Sequence, residues 1–280
     1  MAFVALIFAP LTPVAAHGTH SALLARVDER LAEQPLSGSL WYQRAVLEFE
    51  HEDWAAAALD FEKAERHAPG EFPVLWWQGR IHDQQGNFRD AKSALDRFLA
   101  KTPGHWGGLV SRARVEIKLG MEEEALDDFR ASLANCPDAQ PDLVQEVAQA
   151  LASHGEVDEA VEVLEAGLKR IGQVPSLQLK MLEVEVNAGL FDSALARLPA
   201  MQCSAPRPEP WMEKRASILA QAGRPAESRA AWQALVSHLK SLPANERDSH
   251  TMILLSERAR QALAVLATVK SPVSVFTPPP

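Results

Sequence analysis

The sequence predicts an all-α chain built as an α-solenoid, a row of two-helix hairpins stacked side by side. Three observations carry that prediction. Ala, Leu, Glu and Arg dominate, Tyr is single, and no long run alternates β-branched with polar residues, a composition that favours helix. Pro35, Pro69, Pro103 and Pro137 recur every 34 residues. Gly86, Gly120, Gly155, Gly189 and Gly223 follow at steps of 34, 35, 34 and 34, and Ala57, Ala91, Ala125, Ala160 and Ala194 keep the same beat. A fixed period of this length, each unit holding two amphipathic helical patterns, indicates stacked units rather than one closed core.

The first segment reads as a processing signal. Residues 2–11, AFVALIFAPL, form a short apolar run, and Val14-Ala15-Ala16 fits the small-x-small cleavage rule. The expectation is a signal peptide over 1–16, cut after Ala16, and hence a periplasmic or secreted protein. No Lys or Arg precedes the apolar run, and the alternative is an apolar strip packed on the first helix. The run is too short to span a bilayer, which takes ~20 residues. Residues 17–37 follow as a half-repeat, with Leu23, Leu24, Val27 and Leu31 at helical spacing and Pro35 closing it.

Six units then run 38–71, 72–105, 106–139, 141–174, 175–208 and 209–242. Each first helix but the fifth has a small residue at mid-point: Ala45, Gly79, Ala113, Ala148 and Ala216. Each second helix pairs a small residue with a bulky one a turn later: Ala57/Phe61, Ala91/Leu95, Ala125/Phe129, Ala160/Leu164, Ala194/Leu198 and Ser228/Trp232. Two helices in close contact need Ala or Gly where backbones meet and a large side chain in the adjacent hole. Gly at the turn caps the first helix and Pro ends the second. Three departures stand out. Glu52 replaces Gly in the first turn, Leu182 takes the small site of the fifth unit, and Pro199 should end that unit's second helix early. The stretch 199–210 is then expected to be irregular, as a hinge or a Pro-stiffened loop. Residues 243–270 carry a capping helix with Ile253, Leu254, Ala262, Leu263 and Leu266 on its inner side, and 271–280 is expected to be a disordered tail.

With these residues in place, residues 38–242 resemble the tetratricopeptide repeat (TPR) family. The resemblance implies a right-handed superhelix whose concave wall is lined by each unit's first helix, and a non-enzymatic scaffold or adaptor that binds protein there. Carried onto this chain, the family's ligand-facing positions are Tyr42, Val46, Phe49, Trp76, Arg80, Asp83, Val110, Arg114 and Ile117, then Gln145, Gln149, Leu179, Glu183, Val186, Glu213 and Ser217. The family's Lys-and-Asn carboxylate clamp is not matched. The peptide-binding residues chosen are Tyr42, Phe49, Trp76, Arg80, Asp83 and Arg114, with the two arginines holding a carboxylate while aromatics grip apolar side chains. The alternative for the arginines is ordinary pairing with Asp83 and Glu116. Trp41, Trp54, Trp77 and Trp232 fall at packing positions, whereas Trp76 and Trp106 are expected to be more exposed.

Net charge is −9 with no Lys/Arg cluster longer than two, which argues against nucleic acid. The partner expected is a protein or peptide bearing an acidic or carboxylate segment, with no stable membrane insertion. The chain lacks GxSxG, HExxH, P-loop, GxGxxG and CxxC motifs, so no enzyme activity and no cofactor are expected. The acidic run Glu122-Glu123-Glu124 suits a helix start. Cys136 and Cys203 fall two repeats apart, too far for a disulfide. One alternative function survives: cleavage after Ala16 would start the chain His17-Gly18-Thr19-His20, and His17 with His20 would offer nitrogen ligands to Cu(II).

Overall fold

A computed structural model describes residues 14–268, and these contain only helices. Residues 1–13 and 269–280, which hold most of the expected leader and the expected tail, lie outside the described residues. The chain divides at Pro137 into two compact units. In the first, α1 (Val14–Glu33) precedes the hairpins α2 (Gly38–Glu50) with α3 (Trp54–His67), α4 (Val74–Gln84) with α5 (Phe88–Lys101), and α6 (Trp106–Leu119) with α7 (Glu122–Asn135). The second holds α8 (Pro141–Ser153) with α9 (Val157–Ile171), α10 (Pro175–Asn187) with α11 (Phe191–Ser204), and α12 (Glu209–Gln221) with α13 (Pro225–Ser241). A single turn, α14 (Ala244–Arg247), leads to α15 (His250–Thr268).

One turn geometry serves all six hairpins. The residue after each left-handed position returns its N–H to the carbonyl five residues back: Asp53 to Glu48, Asn87 to His82, Met121 to Glu116, Glu156 to Leu151, Leu190 to Glu185 and Arg224 to Leu219, at 2.8–3.0 Å. These are Schellman closures, which need a positive φ. Glycine supplies it five times, and Glu52 takes it at φ 66° without glycine's freedom.

Inside each hairpin the small sites sit where helices touch. Ala45, Ala57, Ala113, Ala125, Ala148, Ala160 and Ala216 are wholly buried, as are Phe61, Leu95, Leu164 and Leu235. Gly79 shows why size matters: a Cβ there would come within 2.6 Å of Leu95 Cγ. The buried Ser228 hydroxyl donates to the Ala216 carbonyl at 2.8 Å, so the hydroxyl is satisfied across the hairpin. At the fifth unit's small site, Leu182 is buried in a cluster with Leu195, Leu198 and Trp211, and α10–α11 is the least intimate pair.

Two expectations are corrected. Pro199 does not end its helix: α11 continues to Ser204, leaving only 205–208 irregular. The proline ring sits on the exposed side, while the buried Leu198 and Met201 hold the helix down on either side of the missing N–H. On α15 the inner stripe is Met252, Leu255, Ala259 and Leu266, packed against Trp232, Leu235 and Leu239 of α13. Ile253 and Leu254 are instead 45% and 40% exposed, because the helix is rolled to present the 252/255/259 register.

Two-pronged ion pairs tie consecutive helices in the first unit. Arg44 donates from Nε and Nη2 to both oxygens of the buried Asp60, and from Nη1 to Asp28 at 2.8 Å. Two repeats later, Arg112 repeats the arrangement with Asp128 and Asp96. Each planar guanidinium thus joins three helices with fork geometry.

Candidate functional site

The site residues expected from the sequence fall on α2, α4 and α6, the first helices of the hairpins in the N-terminal unit. At its centre is Arg80. Its guanidinium carbon lies 4.5 Å from the ring centres of Phe49 and Trp77 and 5.2 Å from that of Trp76. No carboxylate pairs with Arg80 among the described residues, although the exposed Glu50 lies within electrostatic reach. Burial pulls its pKa down, and the nearby positive charge of Arg114 pulls further in the same direction. A cation that is half-buried on three aromatic faces and lacks a counter-ion is a place where an anion gains.

Hydrogen bonds and ring contacts tie the aromatic frame together. The Tyr42 hydroxyl accepts from Trp77 Nε1 at 2.9 Å, and its ring stacks on Phe72 at 4.5 Å. Phe49 meets Trp54 and Trp77 edge-on at 4.9 and 5.0 Å. Trp76 Nε1 donates to Ser111 Oγ at 2.8 Å, and that hydroxyl donates in turn to the Gly107 carbonyl. His105 caps α6 by accepting the Gly108 N–H on Nδ1 at 2.9 Å, so that nitrogen carries no proton; burial lowers its pKa accordingly.

The expected site residues divide by role. Tyr42, Phe49, Trp76 and Arg80 are brought together. Phe49 is itself buried with Arg80 over its ring, and Val110 is also buried, so both act as supports. Asp83 pairs with Lys118 at 2.5 Å rather than with Arg80. Glu116 faces Lys92 and Arg112. Arg114 is exposed and within electrostatic reach of Arg80. Trp106 is exposed, Trp76 half-buried, and Trp77 and Trp232 are core.

Beside this cage runs a groove of about 420 Å³ between α1 and α2, lined by Leu23, Arg26, Arg30, Tyr42, Val46 and Glu50. Arg26 and Arg30 belong to the same surface, and sequence reasoning missed them. Their spacing of four, on the edge of the Val27–Leu31 stripe, is the signal that could have found them. The C-terminal unit has a larger cleft of about 1200 Å³, lined by Leu179, Glu183, Val186, Glu213 and Ser217 among others. Its acid Glu213 is paired with Arg258 at 2.7 Å, and the cleft holds no cage like that of Arg80. His17 contributes backbone to α1, but its side chain lies outside the described ones.

Residues 78–140 match the tetratricopeptide repeat family model. That stretch carries tetratricopeptide (TPR) repeats, and the described residues have the TPR-type fold. The chain also aligns with solved structures, two of them of TPR proteins. One, from Parabacteroides merdae, is 18% identical over 82% of this chain and 90% of that one, with a TM-score of 0.52. A second, the C-terminal part of a TPR repeat-containing protein from Cytophaga hutchinsonii, is 15% identical over 91% and 93%, with a TM-score of 0.53. A third, Pseudomonas aeruginosa pilF, is 18% identical over 68% and 87%, with a TM-score of 0.52. At such identities the likeness is one of fold. No curated protein matches this chain significantly. No helix among the described residues is long and apolar enough to cross a membrane.

Proposed function

We propose that this TPR protein is a non-enzymatic scaffold that captures a protein or peptide partner on the first-helix surface of its N-terminal unit. The TPR fold supports protein interaction in general. The observation that carries the finer reading is Arg80, desolvated on Phe49, Trp76 and Trp77 with no acidic partner among the described residues. A peptide carboxylate, from an acidic side chain or a C-terminus, would supply the missing charge. Arg26, Arg30 and Arg114 would extend the basic track, and Tyr42, Val46 and Leu23 would take apolar side chains. The apolar run at 2–11 and the small residues at 14 and 16 support action outside the cytoplasm after cleavage, which sequencing of the mature N-terminus checks.

The binding reading is tested on an array of acidic and C-terminal peptides. Arg80→Glu combined with Arg114→Glu should abolish capture of the peptides the parent selects, with helicity unchanged. Equal capture by the double variant discards the site.

A further inference from the structure

The last long helix of the second unit has one face buried and one face bare. α15 is anchored on the hairpin beneath it. Arg258 donates from Nε to Glu213 of α12 at 2.7 Å, and Arg229 of α13 donates to the Leu266 carbonyl. Met252, Leu255, Ala259 and Leu266 face that hairpin. On the opposite side Ile253, Leu254 and Val265 are 45%, 40% and 64% exposed, with Ala264 exposed beside them. Eleven residues make three turns of helix, so Ile253 stands in line with Ala264, and Leu254 with Val265. Glu257, Arg260 and Gln261 lie between these two apolar pairs and are exposed. Neither Glu257 nor Arg260 has a side-chain ion pair or hydrogen bond among the described residues. The bare face is thus apolar at both ends and polar in the middle, with one acid and one base unmatched.

We propose that this face is the interface of a homodimer, in which α15 of a second copy packs antiparallel on it. The face is complementary to itself. With a two-fold axis level with Ala259, Ile253 meets the copy's Ala264 and Leu254 meets the copy's Val265, at both ends of the contact. Glu257 then stands within about 1.5 Å, along the helix axis, of the height of the copy's Arg260 and Gln261. Each unmatched charge thereby gains an opposite one, and the pair forms twice. A parallel pairing would instead set Glu257 against the copy's Glu257 and Arg260 against its Arg260, so charge selects the antiparallel form. The 19 residues of α15 span about 28 Å. One helix from each copy makes a contact at the low end of specific interfaces, below about 1,200 Å² in total. The dimer is accordingly weak, with a dissociation constant of order 1–100 μM. The contact uses no residue of the Arg80 surface. That one dimer would carry two such surfaces is a consequence that rests on the peptide-binding reading; the contact itself does not.

The test is sedimentation equilibrium of the full chain from about 5 to about 500 μM. The average mass should rise with concentration from that of one chain toward that of two. Leu254→Glu should weaken association by at least about tenfold. Its thermal midpoint should match the parent's, because Leu254 takes no part in the core between α15 and α13. Leu59→Glu, at an exposed leucine of α3, should associate as the parent does. A charge exchange tests the pairing itself. Glu257→Arg should weaken association, and adding Arg260→Glu should bring the constant back to within about threefold of the parent's. The proposal is overturned if Leu254→Glu associates within about twofold of the parent, if Glu257→Arg has no effect, or if the second exchange restores nothing. It is overturned equally if the parent stays monomeric throughout. In that case, association by a chain ended at Thr268 would assign the face to the residues that follow, and a monomer there as well would assign it to a different partner.

Discussion

Glu116 is buried at the meeting point of α5, α6 and α7, where charge balance is delicate. Its Oε1 lies 3.5 Å from Lys92 Nζ and 3.8 Å from Arg112 Nε, and its Oε2 has no hydrogen-bond partner. Asp96 and Asp128 occupy the forks of the same Arg112. Burial, reinforced by Asp128, outweighs the two cations and pushes the Glu116 carboxyl up to about 7. A raised carboxyl pKa means the fold prefers the protonated form. Its contribution is therefore complete below the ordinary value near 4.5 and is lost as pH rises through about 7. Urea unfolding at pH 5 and pH 8 checks this. Glu116→Gln, which stays neutral, should gain on the parent by on the order of 2 kcal/mol over that interval. Equal pH slopes in the two proteins would contradict it. None of this is legible in the sequence, where Glu116 reads only as a surface partner of Arg114. The spacing of 16 between Arg112 and Asp128 has no local meaning until the hairpin closes.

At the scale of the helix pair, size complementarity sets the packing. A Cβ at Gly79 would meet Leu95 Cγ at 2.6 Å and the Ala91 carbonyl oxygen at 3.2 Å, and Leu95 is wholly buried. Alanine favours helix over glycine by roughly 1 kcal/mol, but overpacking costs about 1–3 kcal/mol. Gly79→Ala is thus expected to lower stability by up to about 2 kcal/mol by chemical denaturation. Hairpins of this kind are readable in advance because local rules agree with the packing: small at the crossing, bulky one turn on, glycine at the turn. Where local and tertiary preferences conflict, tertiary burial prevails. Pro199 is tolerated because Leu198 and Met201 are buried on either side of it, and the roll of α15 follows the face that α13 presents.

Across the whole described chain, each unit has its own core, and the last hairpin depends on what covers it. Trp232, Leu235 and Leu239 pack under Met252, Leu255 and Ala259 of α15. A chain ending at Leu242 would expose that stripe, as an uncapped repeat does. It should aggregate on size-exclusion chromatography under conditions where the parent elutes as a single species; matching elution would assign α15 no capping role. Architecture at this scale is plain from the 34-residue beat. The binding chemistry is plain only in part: the repeat register locates Arg80, but not its three-ring enclosure, and α1 enters the surface through Arg26 and Arg30 without any repeat marker. The enclosure also has an optical consequence. Trp76 and Trp77 are two of the chain's seven indoles, and both face the same guanidinium. Any anion drawn to Arg80 alters the field across these two chromophores, so their emission reports occupancy without a dye or a tag.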